Sequence, residues 1–391
     1  KPVESASTEV PSVTSTPAVI PTSGPAVCEP TGKLLTADPS YPEVTAQDWI
    51  DGQDTATVTI MAYSEFQCPY CAQLEPELLK LRQAYPDDVR LVFRHFPLVS
   101  IHPNAHLASQ AAEAVGKQKS EYFFNLKSLL FAEQATWSGL STDEFRAWLK
   151  VNVEMLGADV DQFEKDLDSQ EVIDKIDASI ESGTTSGVQG TPTVLFNGVP
   201  YGGPRDYDTL VSIVKLFQLE NNLYDACPPM EVDPAKQYQA ILHTTKGDIT
   251  IDLMAAEAPM AVNNFIFLAK EGYYDNVPFH RVLEGFVAQA GDPSGTGYGG
   301  PGYRFSNEIN EDSRFDEAGL VAMANAGTSD SNGSQFFITY DALPQLDGGY
   351  TIFGKVSEGM DVVDQLTLRD PSSTELLPEA DLILSITIEE K

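Results

Sequence analysis

The chain has 391 residues, 42% of them hydrophobic, and 58 acidic against 24 basic side chains, a formal charge of −34. This length implies two or three domains with real cores. Both halves are acidic, with 15 basic against 34 acidic residues before residue 235 and 9 against 24 after it, and a surface of that sign argues against nucleic-acid partners.

Residues 1–30 are rich in Pro, Ser, Thr and Val and show neither a helical nor a strand period. They predict a disordered tether, or a disordered remnant without a role. The start at Lys1-Pro2-Val3 has no basic region followed by an apolar one, so any export signal or lipid anchor is expected upstream of it. No apolar run approaches the roughly 18 residues of a membrane-spanning helix, and no transmembrane segment is expected.

Globular structure is expected from Trp49. Thr57 to Tyr63 is β-branched and apolar and predicts a buried strand, running into Ser64-Glu65-Phe66-Gln67-Cys68-Pro69-Tyr70-Cys71. Leu74, Leu78, Leu79 and Leu81 sit at helical spacing up to Tyr85-Pro86. Val89, Leu91 and Phe93 alternate with Arg90 and Arg94, which predicts a second strand. Residues 103–182 read as almost wholly helical, through 105–115, Tyr122 to Phe131, Phe145 to Leu156 and Phe163 to Ile180. Thr193 to Phe196 predicts a strand, Asn197-Gly198 a tight hairpin turn, and Tyr207 to Leu223 an amphipathic helix. The Pro-rich run from Cys227 to Pro234 marks a break. Beyond it, short strand runs such as 239–243, Asp248 to Leu253 and Leu382 to Ile388 alternate with turns, with one clear early helix, Ala261 to Lys270. The expected division is a tether over 1–30, a first domain over 31–227, a linker over 228–236 and a second domain over 237–391.

Four cysteines are present. Cys68 and Cys71 form a C-x-x-C pair after a buried strand and at the start of a helix. Unpaired backbone N–H groups at a helix N-terminus favour a thiolate there, so Cys68 is expected to attack and Cys71, one turn on, to resolve. Half of a zinc site and an inert disulfide are the alternatives. The first lacks further ligands, and no metal or cofactor is expected. Cys28 and Cys227 are the two cysteines left. They bracket the first domain and are expected to form a structural disulfide pinning the end of the tether against its last helix. An even count fits an oxidising compartment. Glu65 could accept a proton during resolution, but reads more readily as a solvated strand end; His95, His102 and His106 read as surface or helix-cap residues.

Phe66 to Cys71 with Pro76, Phe93-Arg94-His95-Phe96-Pro97-Leu98, the Ala-rich helix and Gly190-Thr191-Pro192-Thr193 together resemble the DsbA-like branch of the thioredoxin fold over roughly residues 45–225. The resemblance implies an α/β thioredoxin fold with a helical insertion, a cis Pro192 beside the cysteine pair, and Thr191 as a main-chain contact for substrate.

The second domain resembles the cyclophilin family from about Tyr238 to Glu389, through Phe279-His280-Arg281-Val282, Gly285 to Asp292, Met323 to Gly327, Gly333 to Ile338 and Phe353 to Val356. This implies an all-β closed eight-stranded barrel with capping helices and prolyl cis/trans isomerase activity. Rotation about a peptide C–N bond meets a barrier of roughly 18–20 kcal/mol, and a guanidinium beside the proline nitrogen stabilises the twisted state in which that nitrogen becomes basic. Arg281 matches the family's catalytic arginine. Phe286, Val287, Phe337 and Leu346 match its proline pocket, Gln289 and the Asn325 backbone its peptide-holding groups, and Gly295, Ala324, Ala326 and Gln335 its groove. Val287 stands where Met is common, Gln345 where Trp is common, and Tyr350 where His is common. Gln345 removes an indole donor used for cyclosporin, and Tyr350 keeps an aromatic wall.

Both domains then act on polypeptides. The expected function is an extracytoplasmic folding enzyme, secreted, periplasmic or tethered to the cell surface. Its partners are unfolded or partly folded chains with cysteines and X–Pro bonds, and a redox recycling partner of unknown identity. The alternative is a client-binding module whose barrel recruits Pro-containing peptides to a thiol reductase or isomerase site.

Overall fold

The computed structural model describes residues 23–33, 35–311, 313–373 and 377–391. The chain enters through strand β1 (Cys28–Pro30), which pairs antiparallel with Tyr303–Phe305, Cys28 opposite Phe305. Ser23 N–H donates to the Ile309 carbonyl and Val27 N–H to Ser306 Oγ. Residues 23–30 are therefore not the tether expected of them; the rest of that expectation, residues 1–22, lies outside the described residues.

Two compact units follow. The N-terminal unit comprises Thr31–Asp225 with Pro293–Gly302. The C-terminal unit comprises Ala226–Asp292 and Tyr303–Lys391, with the described residues up to Pro30.

The N-terminal unit is built on five strands, β2 (Trp49–Asp51), β3 (Val58–Ser64), β4 (Val89–His95), β5 (Thr193–Phe196) and β6 (Val199–Tyr201), in the order β2-β4-β3-β5-β6. β3 and β4 are parallel and the other neighbours antiparallel. The β-branched run of β3 is buried along almost its whole length because it lies at the centre of the sheet. Its parallel partner requires a crossover, supplied by helix α1 (Pro69–Ala84), which starts with Pro at its first turn, where the missing N–H costs nothing. Asn197 and Gly198 have φ of 48° and 80°, the left-handed pair that a two-residue hairpin between β5 and β6 demands.

Between β4 and β5 the chain folds into α2 (Ala105–Gln118), α3 (Ser120–Ala132), α4 (Gln134–Trp137), α5 (Thr142–Met155), α6 (Val160–Leu167) and α7 (Gln170–Thr185), and α8 (Tyr207–Glu220) closes the unit. The single helix suggested by Phe163 to Ile180 is two, because Ser169 caps α7 by accepting from Val172 N–H. The insertion has its own core: Trp137 is fully buried, stacks on Phe145 at 4.5 Å and donates its indole N–H to the Leu130 carbonyl. The buried Arg94 ties the segment before β2 to the sheet, donating to Asp48, to the carbonyls of Pro42 and Glu43, and to Tyr63 Oη.

The C-terminal unit is one curled antiparallel sheet. Its strands are β7 (Tyr238–Thr244), β8 (Gly247–Leu253), β9 (Val277–Pro278), β10 (Arg281–Val282), β11 (Val287–Ala290), β13 (Leu320–Met323), β14 (Phe336–Thr339), β15 (Ile352–Glu358) and β16 (Leu382–Glu390), with β12 (Tyr303–Phe305) given to β1. Helices α9 (Pro259–Lys270) and α10 (Met360–Val363) accompany it. The order β10-β11-β14-β13-β15-β8-β7-β16-β9 holds nine strands, and among the described residues its two end strands share no ladder. The eight strands of a closed barrel were the expectation; the ladders among the described residues give a curled sheet of nine strands that they do not close.

Cys28 and Cys227 are disulfide-bonded, with Cα atoms 6.2 Å apart. Both lie in the C-terminal unit. The bridge therefore clasps β1 to the segment after α8, and does not pin a tether to the last helix of the first domain.

Candidate functional site

Cys68 occupies the N-cap of α1 in extended conformation, and its carbonyl accepts from the N–H groups of Cys71 and Ala72. Both thiols are free and nearly buried, with relative exposures of 4% and 2%. Cys68 Sγ lies 3.3 Å from the Thr191 carbonyl oxygen, and the Thr191–Pro192 bond is cis. The Cys71 side chain, acting as donor, is the largest influence on Cys68; with Thr191 and the N–H groups of Cys71 and Tyr70 it brings the Cys68 thiol down to about 5 against the cost of burial. Burial, then the negative neighbour Cys68, pushes the Cys71 thiol far up. One sulfur is thus a thiolate at neutral pH and the other a thiol.

The helical insertion positions this loop. Gln134 donates to the carbonyls of Phe66 and Cys68 at 2.7 and 3.0 Å, and Gln67 donates to the Ser138 carbonyl. Glu65, read from sequence as solvated, is fully buried; its Oε2 accepts from Gln67 N–H, and its Oε1 pairs with His102 Nδ1. Burial is the main reason its carboxyl is held above the usual range, with the Cys68 thiolate adding to it. His95 is likewise buried, not at the surface, and bonds Glu113 at 3.1 Å. Burial opposes the charge on Glu113, yet His95 and Lys175 together keep its carboxyl below the usual range. A buried Lys127–Glu75 pair lines, with Cys71 and Phe93, a void of about 20 Å³. No sequence motif marks these polar groups, because their partners lie 18 to 62 residues away.

In the C-terminal unit β10 and β11 place Arg281 directly opposite Gln289. Arg281 Nη1–H donates to Gln289 Oε1 at 3.4 Å, and Gln289 Nε2–H to Gln335 Oε1 at 3.0 Å. The guanidinium carbon lies 5.4 Å from the Phe286 ring centre. Beside this chain Val287 and Phe337 are buried in an apolar cluster against which Phe286, Ala324, Leu346 and Tyr350 pack. Tyr350 meets Phe337 edge-on at 5.4 Å. The Asn325 side chain donates to the Gly349 carbonyl, and Ala326 N–H to Ser331 Oγ, which shapes the loop after β13. The result is an apolar floor with one cation and two amides at its rim, suited to a proline ring and its flanking peptide.

A family model for the cyclophilin type peptidyl-prolyl cis-trans isomerases matches residues 240–388, and one for thioredoxin matches residues 45–216. A peptidyl-prolyl cis-trans isomerase of Helicobacter pylori is 46% identical over 142 residues, 36% of this chain and 86% of that protein. The chain belongs to the cyclophilin type peptidyl-prolyl cis-trans isomerase family. A peptidyl-prolyl cis-trans isomerase-like 1 of Rhizopus delemar is 50% identical over 137 residues, 34% of this chain and 82% of that protein. A crystal structure of a Cryptosporidium parvum cyclophilin type isomerase is 38% identical and covers 39% of this chain and 98% of that one, with a TM-score of 0.37. By the two family models the C-terminal domain is a cyclophilin domain and the N-terminal domain is thioredoxin-like.

Of the residues read from sequence, the cyclophilin domain brings together Arg281, Phe286, Val287, Gln289, Ala324, Gln335, Phe337, Leu346 and Tyr350. Gly295 lies in the 293–302 loop, which belongs to the N-terminal unit. Gln345 is exposed on a short 3₁₀ turn, Pro344–Leu346. Two contributors went unread. Phe315, fully buried, stacks on Phe337 at 6.0 Å and meets Tyr350 edge-on. His280 is buried next to Arg281, and burial holds its imidazole below the usual range and neutral. Its neighbours in the sequence already carried the family pattern, which was the available signal.

Proposed function

We propose that this protein is an extracytoplasmic folding enzyme whose cyclophilin domain isomerises X–Pro bonds and whose thioredoxin-like domain, of the DsbA-like kind, oxidises client dithiols. The isomerase activity follows from the family. Arg281, steadied by Gln289, is the group that stabilises the pyramidal proline nitrogen of the twisted state.

The observation that carries the thiol half is the opposed chemistry of two neighbouring sulfurs, Cys68 near 5 and Cys71 pushed far up. In the oxidised protein a client thiolate attacks Cys68. The Cys68–Cys71 bond breaks, and Cys71 leaves and takes a proton. A second client thiolate then attacks the client sulfur of the mixed disulfide and releases Cys68 as a stable thiolate. Two electrons pass to the pair, and a recycling partner that accepts two electrons restores it. A good leaving thiolate at Cys68 drives the reaction toward client oxidation. The Cys28–Cys227 disulfide supports a place outside the reducing cytosol, secreted, periplasmic or surface-tethered.

Equilibration of full-length protein with glutathione redox buffers tests this. The expected potential of the Cys68–Cys71 pair lies well above roughly −270 mV, toward the −120 mV end of the known range. A value near −270 mV would make the domain a reductant.

A further inference from the structure

A cleft of about 490 Å³ opens beside the cysteine pair, lined among others by Tyr70, Gln189, Thr191, Pro192 and Arg205. Tyr70, between the two cysteines, is 66% exposed. Thr191 touches Cys68 through its carbonyl oxygen, 3.3 Å from the sulfur. Arg205 is the one cation in the lining, and no carboxylate is among the lining residues. Its Nη2–H donates to the Pro192 carbonyl at 3.2 Å, its Nε has no partner, and it makes no ion pair among the described residues. The adjacent Asp206 is turned away to cap α8, accepting from Thr209 N–H and Oγ1.

An unpaired, half-buried guanidinium is notable in a chain with 58 acidic side chains available to it. The bond to Pro192 fixes it on the residue that adjoins the sulfur's own partner, Thr191. A peptide whose cysteine reaches Cys68 has its neighbouring side chains over this cleft. We propose that Arg205 is a specificity-determining residue, selecting clients that carry a carboxylate side chain next to the reacting cysteine. A planar five-donor fork suits a carboxylate, and elsewhere the surface charge repels such clients. The proposal rests on the thiol-exchange reading and adds a client class to it.

Two N-acetylated, C-amidated peptides that differ only in Glu-Cys-Glu against Gln-Cys-Gln test it, so that no terminal carboxylate competes. Their rates of reducing oxidised full-length protein are measured by acid quench and mass spectrometry. Each is divided by the same peptide's rate with hydroxyethyl disulfide, a neutral reagent, which removes intrinsic thiol reactivity. The expected ratio favours the Glu peptide by about three- to tenfold and shrinks in high salt. It should fall to one or below in Arg205→Gln, invert in Arg205→Glu and survive in part in Arg205→Lys. A ratio near one in the wild type overturns the proposal. So does a ratio unchanged in Arg205→Gln with both rates lowered, which marks Arg205 as a support for Pro192 only. If neither peptide forms a mixed disulfide with Cys68, the thiol-exchange reading falls, and this proposal with it.

Discussion

Cys68 and Thr191, 123 positions apart, meet through a 3.3 Å contact between the sulfur and the main-chain oxygen. Cys68 therefore sits beside the turn before β5, whose Thr191 and Pro192 also line the cleft of about 490 Å³.

The first prediction concerns what holds the Cys68 thiolate. The largest contribution is the hydrogen bond from Cys71. Iodoacetamide alkylation against pH should give a midpoint near 5 for the reduced protein, and Cys71→Ala should raise it by about one unit or more. The sign for stability follows from a folded value depressed below the unfolded one of about 8.5. The stabilisation of the reduced form is fully present above the unfolded value and is lost as pH falls through about 5. The reduced protein should then outlast the oxidised one in urea at pH 7, with the gap closing below pH 5.

A second prediction concerns Glu65. Its carboxyl is held high by burial, so keeping it charged costs folded-state stability, and that cost grows as pH rises through its folded value. Glu65→Gln keeps the shape and an oxygen to accept from Gln67 N–H, and turns an amide NH2 toward His102 Nδ1. The melting temperature of the variant relative to wild type should therefore be higher at pH 7–8 than at pH 4. A difference independent of pH would mean that Glu65 titrates alike in both states.

These two residues mark how far the sequence could be read. The cysteine pair, its strand and its helix were legible because periodicity and a short motif are local properties. The state of Glu65 was not, because it depends on His102, contributed by the loop after β4, and on the wall of helices that excludes water. β1 was illegible for a related reason. Cys28-Glu29-Pro30 is three residues long, largely exposed and without alternation, and becomes a strand only because Tyr303–Phe305 offers it an edge. The same applies to β9 and β10, two residues each, too short to show an alternation. The groove residues were readable from family pattern, whereas Phe315, behind Phe337, stands in a run without one.

A third prediction follows from the clasp. A three-residue edge strand has little stability of its own, and the bridge that holds β1 closes a separation of 199 residues. In the chain-entropy picture such closure contributes about 5 kcal/mol at most, and less if the enclosed domain stays folded. The double variant Cys28→Ser/Cys227→Ser should therefore expose residues 23–33 to limited proteolysis, with first cuts mapped there by mass spectrometry, and should lower the unfolding midpoint of the cyclophilin domain. An unchanged cleavage pattern would show that the β1–β12 ladder holds without the bridge.

The last prediction concerns the chain Arg281–Gln289–Gln335. The contribution of Arg281 to isomerisation depends on where its guanidinium is held. Gln289 accepts from it and is in turn oriented by donating to Gln335. The proline nitrogen gains basicity only as amide resonance is lost, so the guanidinium interacts more strongly with the transition state than with bound substrate. Arg281→Ala should lower kcat/KM by the 2.7–4 kcal/mol scale of a lost transition-state donor, about a hundred- to a thousandfold, with little loss of peptide affinity. Gln289→Leu keeps the cation and removes its anchor, so it should cost less, about tenfold, and part of that in affinity. Gln335→Leu acts one bond further out and should cost less again. Exchange spectroscopy on a short X–Pro peptide reads turnover without a coupled protease, and titration of the same peptide reads affinity. If Gln289→Leu costs as much as Arg281→Ala while the melting temperature holds, the amide itself contacts the reacting peptide, and its role shifts from positioning to catalysis.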